Sequence, residues 1–164
     1  MTKRIAFECY ADADLVHFLR TQGQLDLRPF HAYGQGEVVK SVIVRGDREL
    51  GIVDEDPLAT HHRDRDNTEL VDATDSVELR RRGDRHLLVI KPDLERCFLK
   101  SMKLVGLESR LPQSFPDLHA ALNVDRSLKH EIFRKELTAL HEASRSRKQK
   151  TLVTDILDLI CRVM

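Results

Sequence analysis

The sequence predicts an α/β protein: a mostly parallel β-sheet flanked by helices, with a helical C-terminal portion. The first half of the chain alternates short apolar runs, rich in β-branched and aromatic residues, with segments of helical periodicity. Roughly the last sixty residues carry apolar residues at three- and four-residue spacing, which is typical of helices. The length of 164 residues and a hydrophobic content of 41% are enough for one domain with a core.

The first half predicts the order strand, helix, strand, helix, strand. In the first helix, Leu15, Phe18 and Leu19 recur at helical spacing and Gly23 is a stop signal. Because sequential strands joined by helices run parallel, this order predicts a parallel sheet with helices on its faces. The predicted strands are 4–9, "LDLRPFHAY" and "ELGIVDED", and the predicted helices are "ADADLVHFLRTQG" and "GQGEVVKSVIV".

The second half begins with a polar stretch, "PLATHHRDRDNTE", which predicts a loop. "SVELRRRGDRHLLVIK" predicts a hairpin or an irregular crossover that ends in the strand "HLLVI". A helix follows in "PDLERCFLKSMKLVG", where Pro92 suits the first turn and Asp93 and Glu95 suit its positive end. We expect 1–105 to form the α/β unit and 106–164 a helical extension packed on it. Its predicted helices are "PDLHAALN", "DRSLKHEIFRKELTALHEA" and "TLVTDILDLICRV", with "SRSRKQK" as a linker.

Composition indicates a soluble, cytoplasmic protein that does not bind a membrane. Charged residues make up 33% of the chain, and no apolar run is long enough to span a bilayer. The N-terminal stretch "MTKRIAFECY" lacks the apolar segment of a signal peptide. The cysteines, Cys9, Cys97 and Cys161, form no pair or zinc-binding spacing, as expected in a reducing compartment.

Acidic residues follow the predicted strands. Asp54, Glu55 and Asp56 come directly after the apolar end of strand three, and Glu8 lies at the end of strand one. In a parallel sheet these strand ends meet at one edge, where Asp12 of the first helix could join them. Carboxylates so close together repel one another and favour a bound cation, and oxygen ligands suit Mg²⁺ or Mn²⁺. The sequence therefore predicts a divalent-metal site.

The order of these features resembles the Toprim family over residues 4–105. "AFECYAD", with Glu8 and Asp12, resembles the Toprim opening Glu-Gly-x-x-Asp, and "YGQGEVVK" resembles the glycine-containing turn before the second helix. "GIVDEDP" resembles the Asp-x-Asp after the third strand. "LLVIKPDLERCFL" is similar to the later strand and acidic helix start of Toprim nucleases of the overcoming-lysogenisation-defect (OLD) type.

The resemblance implies a Rossmann-like Toprim fold and a metal-dependent hydrolase, a nuclease that cleaves phosphodiesters of DNA or RNA. It implies that Glu8 is the general acid/base or a metal-associated residue and that Asp54 and Asp56 bind metal. Asp12 and Glu95 would serve a second metal. The chain departs from the family at Cys9, where the family usually has glycine, and a side chain there could crowd a phosphate.

The resemblance also bears on partners. Larger OLD-type proteins carry an ATPase on the same chain, but the phosphate-binding loop G-x-x-x-x-G-K-[ST] is missing from this sequence. An ATPase partner would then be a separate protein, as in a multi-component phage-defence system. Near the C-terminus, Arg145, Arg147, Lys148 and Lys150 form a basic run that could bind a nucleic-acid backbone. The amphipathic terminal helix could form a homodimer contact.

Two other functions remain open on sequence grounds. A Toprim-like fold can serve as a non-catalytic binding or assembly module, which the Cys9 departure and the formal net charge of zero favour. A receiver-like signalling domain also begins with a strand that ends in paired acids, and Asp93 would then accept the phosphoryl group. The receiver interpretation lacks a later strand ending in Ser or Thr.

Overall fold

The computed structural model describes residues 2–55 and 62–164, with the backbone alone described at 62 and 63. Its centre is a six-stranded sheet in the order β2-β1-β3-β6-β5-β4. The sheet is parallel from β2 through β1 and β3 to β6. β5 pairs antiparallel with β6, and β4 pairs antiparallel with β5. The predicted α/β class with a mostly parallel sheet is confirmed. The strands are β1 (Lys3–Phe7), β2 (Leu27–His31), β3 (Leu50–Asp54), β4 (Glu69–Ala73), β5 (Val77–Arg82) and β6 (Arg85–Ile90).

Helices cover both faces of the sheet. The second helix, α2, begins as an α-helix at Gln35–Val39 and continues as a π-helical turn at Lys40–Val44. The others are α1 (Tyr10–Thr21), α3 (His62–Asp66), α4 (Leu94–Leu104), α5 (Phe115–Leu122), α6 (Leu128–Arg147) and α7 (Leu152–Cys161).

The two faces have separate cores. On one face, α2 packs Val38 and Val42 against alternate residues of β1, β3 and β6. Gly51 in β3 permits this close approach, because a Cβ atom there would lie 2.9 Å from Val38 Cγ1. On the other face, a larger core joins the strands to α1, α4, α5, α6 and α7. The C-terminal helices therefore share a core with the sheet that carries the acidic residues.

Two elements differ from the expectations. The stretch predicted as a polar loop, 57–69, lies partly outside the described residues, and its described part contains α3. The strand β4, which begins at the last residue of that stretch, was not predicted. β4 is an edge strand whose residues are mostly exposed, so it lacks the alternation of apolar and polar residues that marks a half-buried strand. The predicted linker "SRSRKQK" was placed too early, because α6 continues to Arg147 and Ser144 lies buried in it.

The structure also bears on membrane insertion. Across 2–55 and 62–164, we find no helix with both the length and the apolar character needed to cross a bilayer.

Candidate functional site

Four acidic side chains come together at the carboxyl edge of the parallel strands. Glu8 directly follows β1, Asp54 ends β3, and these strands are hydrogen-bonded neighbours. Asp12 lies in the first turn of α1 and Glu95 in the first turn of α4. The Asp54 N–H donates a hydrogen bond to Glu8 Oε1 at 3.2 Å. The predicted convergence of Glu8, Asp12 and Asp54 is thus present, and Glu95 lies close enough to act electrostatically on Asp12 and Asp54.

Asp12 is wholly buried at the start of α1. Its Oδ2 accepts hydrogen bonds from the N–H groups of Glu8, at 3.2 Å, and Cys9, at 3.3 Å. These bonds fix the turn between β1 and α1. The second oxygen, Oδ1, is buried without a hydrogen-bond partner among the described residues. An unpartnered buried carboxylate oxygen is costly, so either a proton or a cation would stabilise this atom.

Asp54 connects three elements. Its Oδ1 accepts a hydrogen bond from the Leu94 N–H at 3.0 Å, at the positive end of α4. Its backbone carbonyl accepts a hydrogen bond from the Gln35 side chain, in the first turn of α2. The end of β3 is therefore fixed to both adjacent helices.

The cluster favours protonation of its buried members. Burial raises the pKa of Asp12 to about 8, and the negative charges of Glu8 and Glu95 add to this effect. Burial also raises the pKa of Asp54 well above its usual range, reinforced by Asp12 and Glu8. A cation at this edge would reverse the effect, since it favours the charged carboxylates.

Glu95 has a partner that the sequence does not reveal. The side chain of Glu95 is 2% exposed, and its Oε1 lies 2.8 Å from Nδ1 of His119 in α5. The other ring nitrogen of His119 lies 2.6 Å from Nδ2 of Asn123. When the Asn123 amide donates to Nε2, Nδ1 carries the proton and donates it to Glu95. No sequence pattern marks this contact, because Glu95 and His119 are 24 positions apart on separate helices.

Asp93 and Cys9 both cap helices. Asp93 precedes α4 and accepts a hydrogen bond from the Arg96 N–H at 2.8 Å, while its carboxylate also pairs with the Arg96 guanidinium. This residue, the phospho-acceptor of the receiver interpretation, is thus engaged as a helix cap. Cys9 precedes α1 with a φ of −135°, which any residue adopts. Burial raises the pKa of its thiol, so the cysteine is a poor nucleophile.

The fit to a metal is partial. No group of three His, Cys, Asp or Glu side chains suited to holding a metal ion is found in the described part of the chain. Asp56, the second acid of the predicted Asp-x-Asp, lies outside the described residues. The donor atoms themselves suit a hard divalent cation, because they are carboxylate oxygens, and one of them is buried without a partner in the described part of the chain.

The basic run near the C-terminus lies away from the acids. α4 starts at the carboxyl edge, and its 11 residues end at Leu104, about 15 Å further along the helix axis. Arg147 lies beside Gly106, just beyond that far end. The structure does not bring the run to the acidic cluster, although its four side chains, those of Arg145, Arg147, Lys148 and Lys150, are exposed.

Comparison of the chain with protein-family models, with curated proteins and with solved structures found no match.

Proposed function

We propose that this protein is a divalent-metal-dependent nuclease of the Toprim type that hydrolyses phosphodiester bonds in DNA or RNA. The observation that carries the proposal is the convergence of Glu8, Asp12, Asp54 and Glu95 on one sheet edge, with Asp12 Oδ1 buried and unpartnered among the described residues. Carboxylates gathered at one buried edge repel one another, and a bound cation would neutralise that repulsion.

Glu8, Asp12 and Asp54 would hold Mg²⁺ or Mn²⁺, together with Asp56, and Glu95 would complete a second position. When bound, such an ion lowers the pKa of a water and neutralises charge on the phosphate in the transition state.

The chain's own groups perform the remaining tasks. We assign Glu8 as the general acid/base, because its carboxylate lies at the carboxyl end of β1, beside Asp54. The Asp54 carboxylate is oriented by the Leu94 N–H, and the Asp54 backbone by Gln35. His119 orients Glu95 by its hydrogen bond to Oε1. The acidic groups are thus held in fixed positions, as catalysis by preorganised groups requires.

The wider setting follows the Toprim resemblance. We propose a cytoplasmic enzyme that works with a separate ATPase, in a multi-component system such as phage defence. In that setting, the basic run 145–150 would contact nucleic-acid backbone outside the acidic edge, and α7 would supply a homodimer contact.

The test is a cleavage assay with Asp54→Asn, which removes the charge and keeps the size of the side chain. Supercoiled plasmid, single-stranded DNA and structured RNA are incubated with purified protein in Mg²⁺, Mn²⁺ or EDTA. We expect metal-dependent cleavage by the native protein and a loss of at least about 100-fold in the variant. The matched control is Asp84→Asn, an exposed aspartate in the turn between β5 and β6, which should cleave at the native rate.

A non-catalytic binding module is the second candidate. It is favoured by the use of Asp12 and Asp54 as acceptors for backbone N–H groups at the starts of α1 and α4, a role that needs no metal. Equal cleavage by the native protein and by Asp54→Asn would support this candidate against the nuclease. So would the absence of any cleavage in every metal tested with the ATPase partner present.

A further inference from the structure

An aromatic stack stands at the end of β2, beside the acidic edge. The ring of His31 stacks with Phe7, at 5.3 Å with an interplanar angle of 17°, and with Tyr33, at 4.4 Å and 29°. Tyr10, the first residue of α1, meets His31 edge-on at 5.3 Å. Phe7 is buried in the core, so the stack is anchored at its inner end and opens toward solvent at Tyr33.

The stack is tied directly to Glu8. His31 Nε2 lies 3.0 Å from the backbone carbonyl of Glu8, within hydrogen-bond distance. Tyr33 is 81% exposed, the most exposed of the large hydrophobic side chains in the described chain. An aromatic ring this exposed adds little to the core. It nevertheless stacks on His31, which lies within hydrogen-bond distance of the Glu8 carbonyl at the end of β1. A flat ring presented at this position is suited to stacking against another planar group.

Positive charge lies on the same edge strand. Arg28 of β2 is exposed, and no ion pair formed within the described residues includes it. One strand position from His31, Phe30 is 40% exposed, and the Arg48 guanidinium lies 4.1 Å from the centre of its ring. At about 3.3 Å per residue, Arg28 is about 10 Å from His31 along β2. The two side chains leave opposite faces of the strand, so a ligand reaches both by following the open edge between them. An exposed guanidinium and an exposed ring along one open strand edge fit a phosphate and a base of the same nucleic-acid chain.

The backbone of β2 argues against a protein strand as the occupant of this edge. The Ala32 N–H points inward to the Phe7 carbonyl, at 2.8 Å. Because directions alternate along a strand, an N–H at position 29 would face the open edge, and that position is Pro29. Proline lacks this donor, which hinders pairing with a further strand.

We propose that the outer edge of β2 binds single-stranded nucleic acid, with Tyr33 stacking on an unpaired base and Arg28 contacting a phosphate. The inference rests on the proposed function and deepens it, because it names a single strand as the substrate class. A duplex keeps its bases stacked on each other and cannot offer one to Tyr33 without unpairing. Both single-stranded DNA and RNA have the required base faces and phosphates.

The test measures binding without catalysis. The anisotropy of labelled oligodeoxythymidine, oligouridine and a duplex of equal length is followed in EDTA, where metal-dependent cleavage cannot occur. The variants are Tyr33→Ala, Tyr33→Phe and Arg28→Gln, with Arg126→Gln as the control because its side chain is 93% exposed and lies outside β2. Circular dichroism melts verify that each variant is folded.

We expect tighter binding of single strands than of duplex, and a loss of about 5- to 100-fold for Tyr33→Ala. Tyr33→Phe should stay within about twofold, since it keeps the ring. Arg28→Gln should weaken binding and reduce the salt slope by about one, whereas Arg126→Gln should change neither. The comparison of the two oligonucleotides distinguishes DNA from RNA.

Native-like binding by folded Tyr33→Ala, or a preference for duplex, would overturn the inference. Metal-dependent cleavage of duplex in that case would leave the nuclease proposal intact. Conversely, tight single-strand binding without any metal-dependent cleavage would retain the β2 site and contradict the nuclease. The two proposals can therefore fail separately.

Discussion

The N–H of Asp54 donates to Glu8 Oε1 at 3.2 Å, and this hydrogen bond joins the ends of β1 and β3. It partly compensates the approach of two acidic residues on neighbouring strands, but it does not remove the burial and the repulsion that together raise the pKa of Asp54. The site thus combines fixed geometry with unfavourable charge. This combination is expected where a protein reserves a position for a cation.

Neutralising Asp54 should stabilise the protein while it removes activity. In EDTA, we expect Asp54→Asn to raise the free energy of unfolding by about 1 kcal/mol, because it removes a buried group whose ionised form is disfavoured at this edge and retains an oxygen for the Leu94 N–H. Urea unfolding monitored by circular dichroism measures this change. With saturating Mg²⁺ the order should reverse, since metal binding stabilises only the native site. A variant less stable than the native protein in EDTA would contradict the electrostatic argument.

The stability of the metal-free protein should fall as pH rises through neutrality. The pKa of Asp12 is raised from 3.8 to about 8, so the folded state holds a proton that the unfolded state has released. The stabilisation from this proton is complete below about pH 4 and is lost progressively up to about pH 8. The expected loss is a few kcal/mol across that window, at no more than about 1.4 kcal/mol per pH unit.

Asp12→Asn isolates this contribution. The amide keeps an oxygen for the N–H groups of Glu8 and Cys9 but has no proton to lose. Urea unfolding in EDTA at pH 5, 6, 7 and 8 should show that the difference in stability between Asp12→Asn and the native protein grows with pH. A difference that stays constant over this range would mean that Asp12 does not carry the pH dependence.

His119 should be energetically coupled to Glu95. Removal of the imidazole in His119→Ala leaves a buried carboxylate without its 2.8 Å partner, and we expect a cost of about 1–3 kcal/mol. His119 also packs against Phe115, at 5.3 Å between ring centres, so the single variant mixes two effects. A double-mutant cycle with Glu95→Gln separates them. Coupling below about 0.5 kcal/mol would show that the hydrogen bond does not hold Glu95.

A second buried pair should fasten the C-terminal helices to the first helix. Nδ1 of His130 in α6 lies 2.5 Å from Oδ2 of Asp14 in α1, and Nε2 of the same ring lies 2.6 Å from the Val124 carbonyl. His130→Ala should cost about 3 kcal/mol, because it leaves the buried Asp14 carboxylate short of a partner. The control is His17→Ala, an exposed histidine on α1, which should stay within about 0.5 kcal/mol. Similar melting temperatures for the two variants would contradict this role.

Parts of the fold were predictable because they depend on local patterns. The alternation of apolar runs and helical segments indicated the parallel strands, and acids at strand ends indicated a shared edge because parallel strands end on the same side. β4 was missed because an exposed edge strand needs no apolar face. The end of α6 was misplaced because its last turn is polar and buries little beyond Ser144.

The sequence by itself determined the α/β class and the order in which Glu8, Asp12 and Asp54 follow their strands. Only the tertiary structure decided that Glu95 is held by His119, that Tyr33 stacks on His31 beside Glu8, and that the basic run at 145–150 lies at the far end of α4. The physical reason is the range of the interactions. Periodicity records which face of an element is buried, whereas contacts between separate elements depend on how those faces pack together in three dimensions.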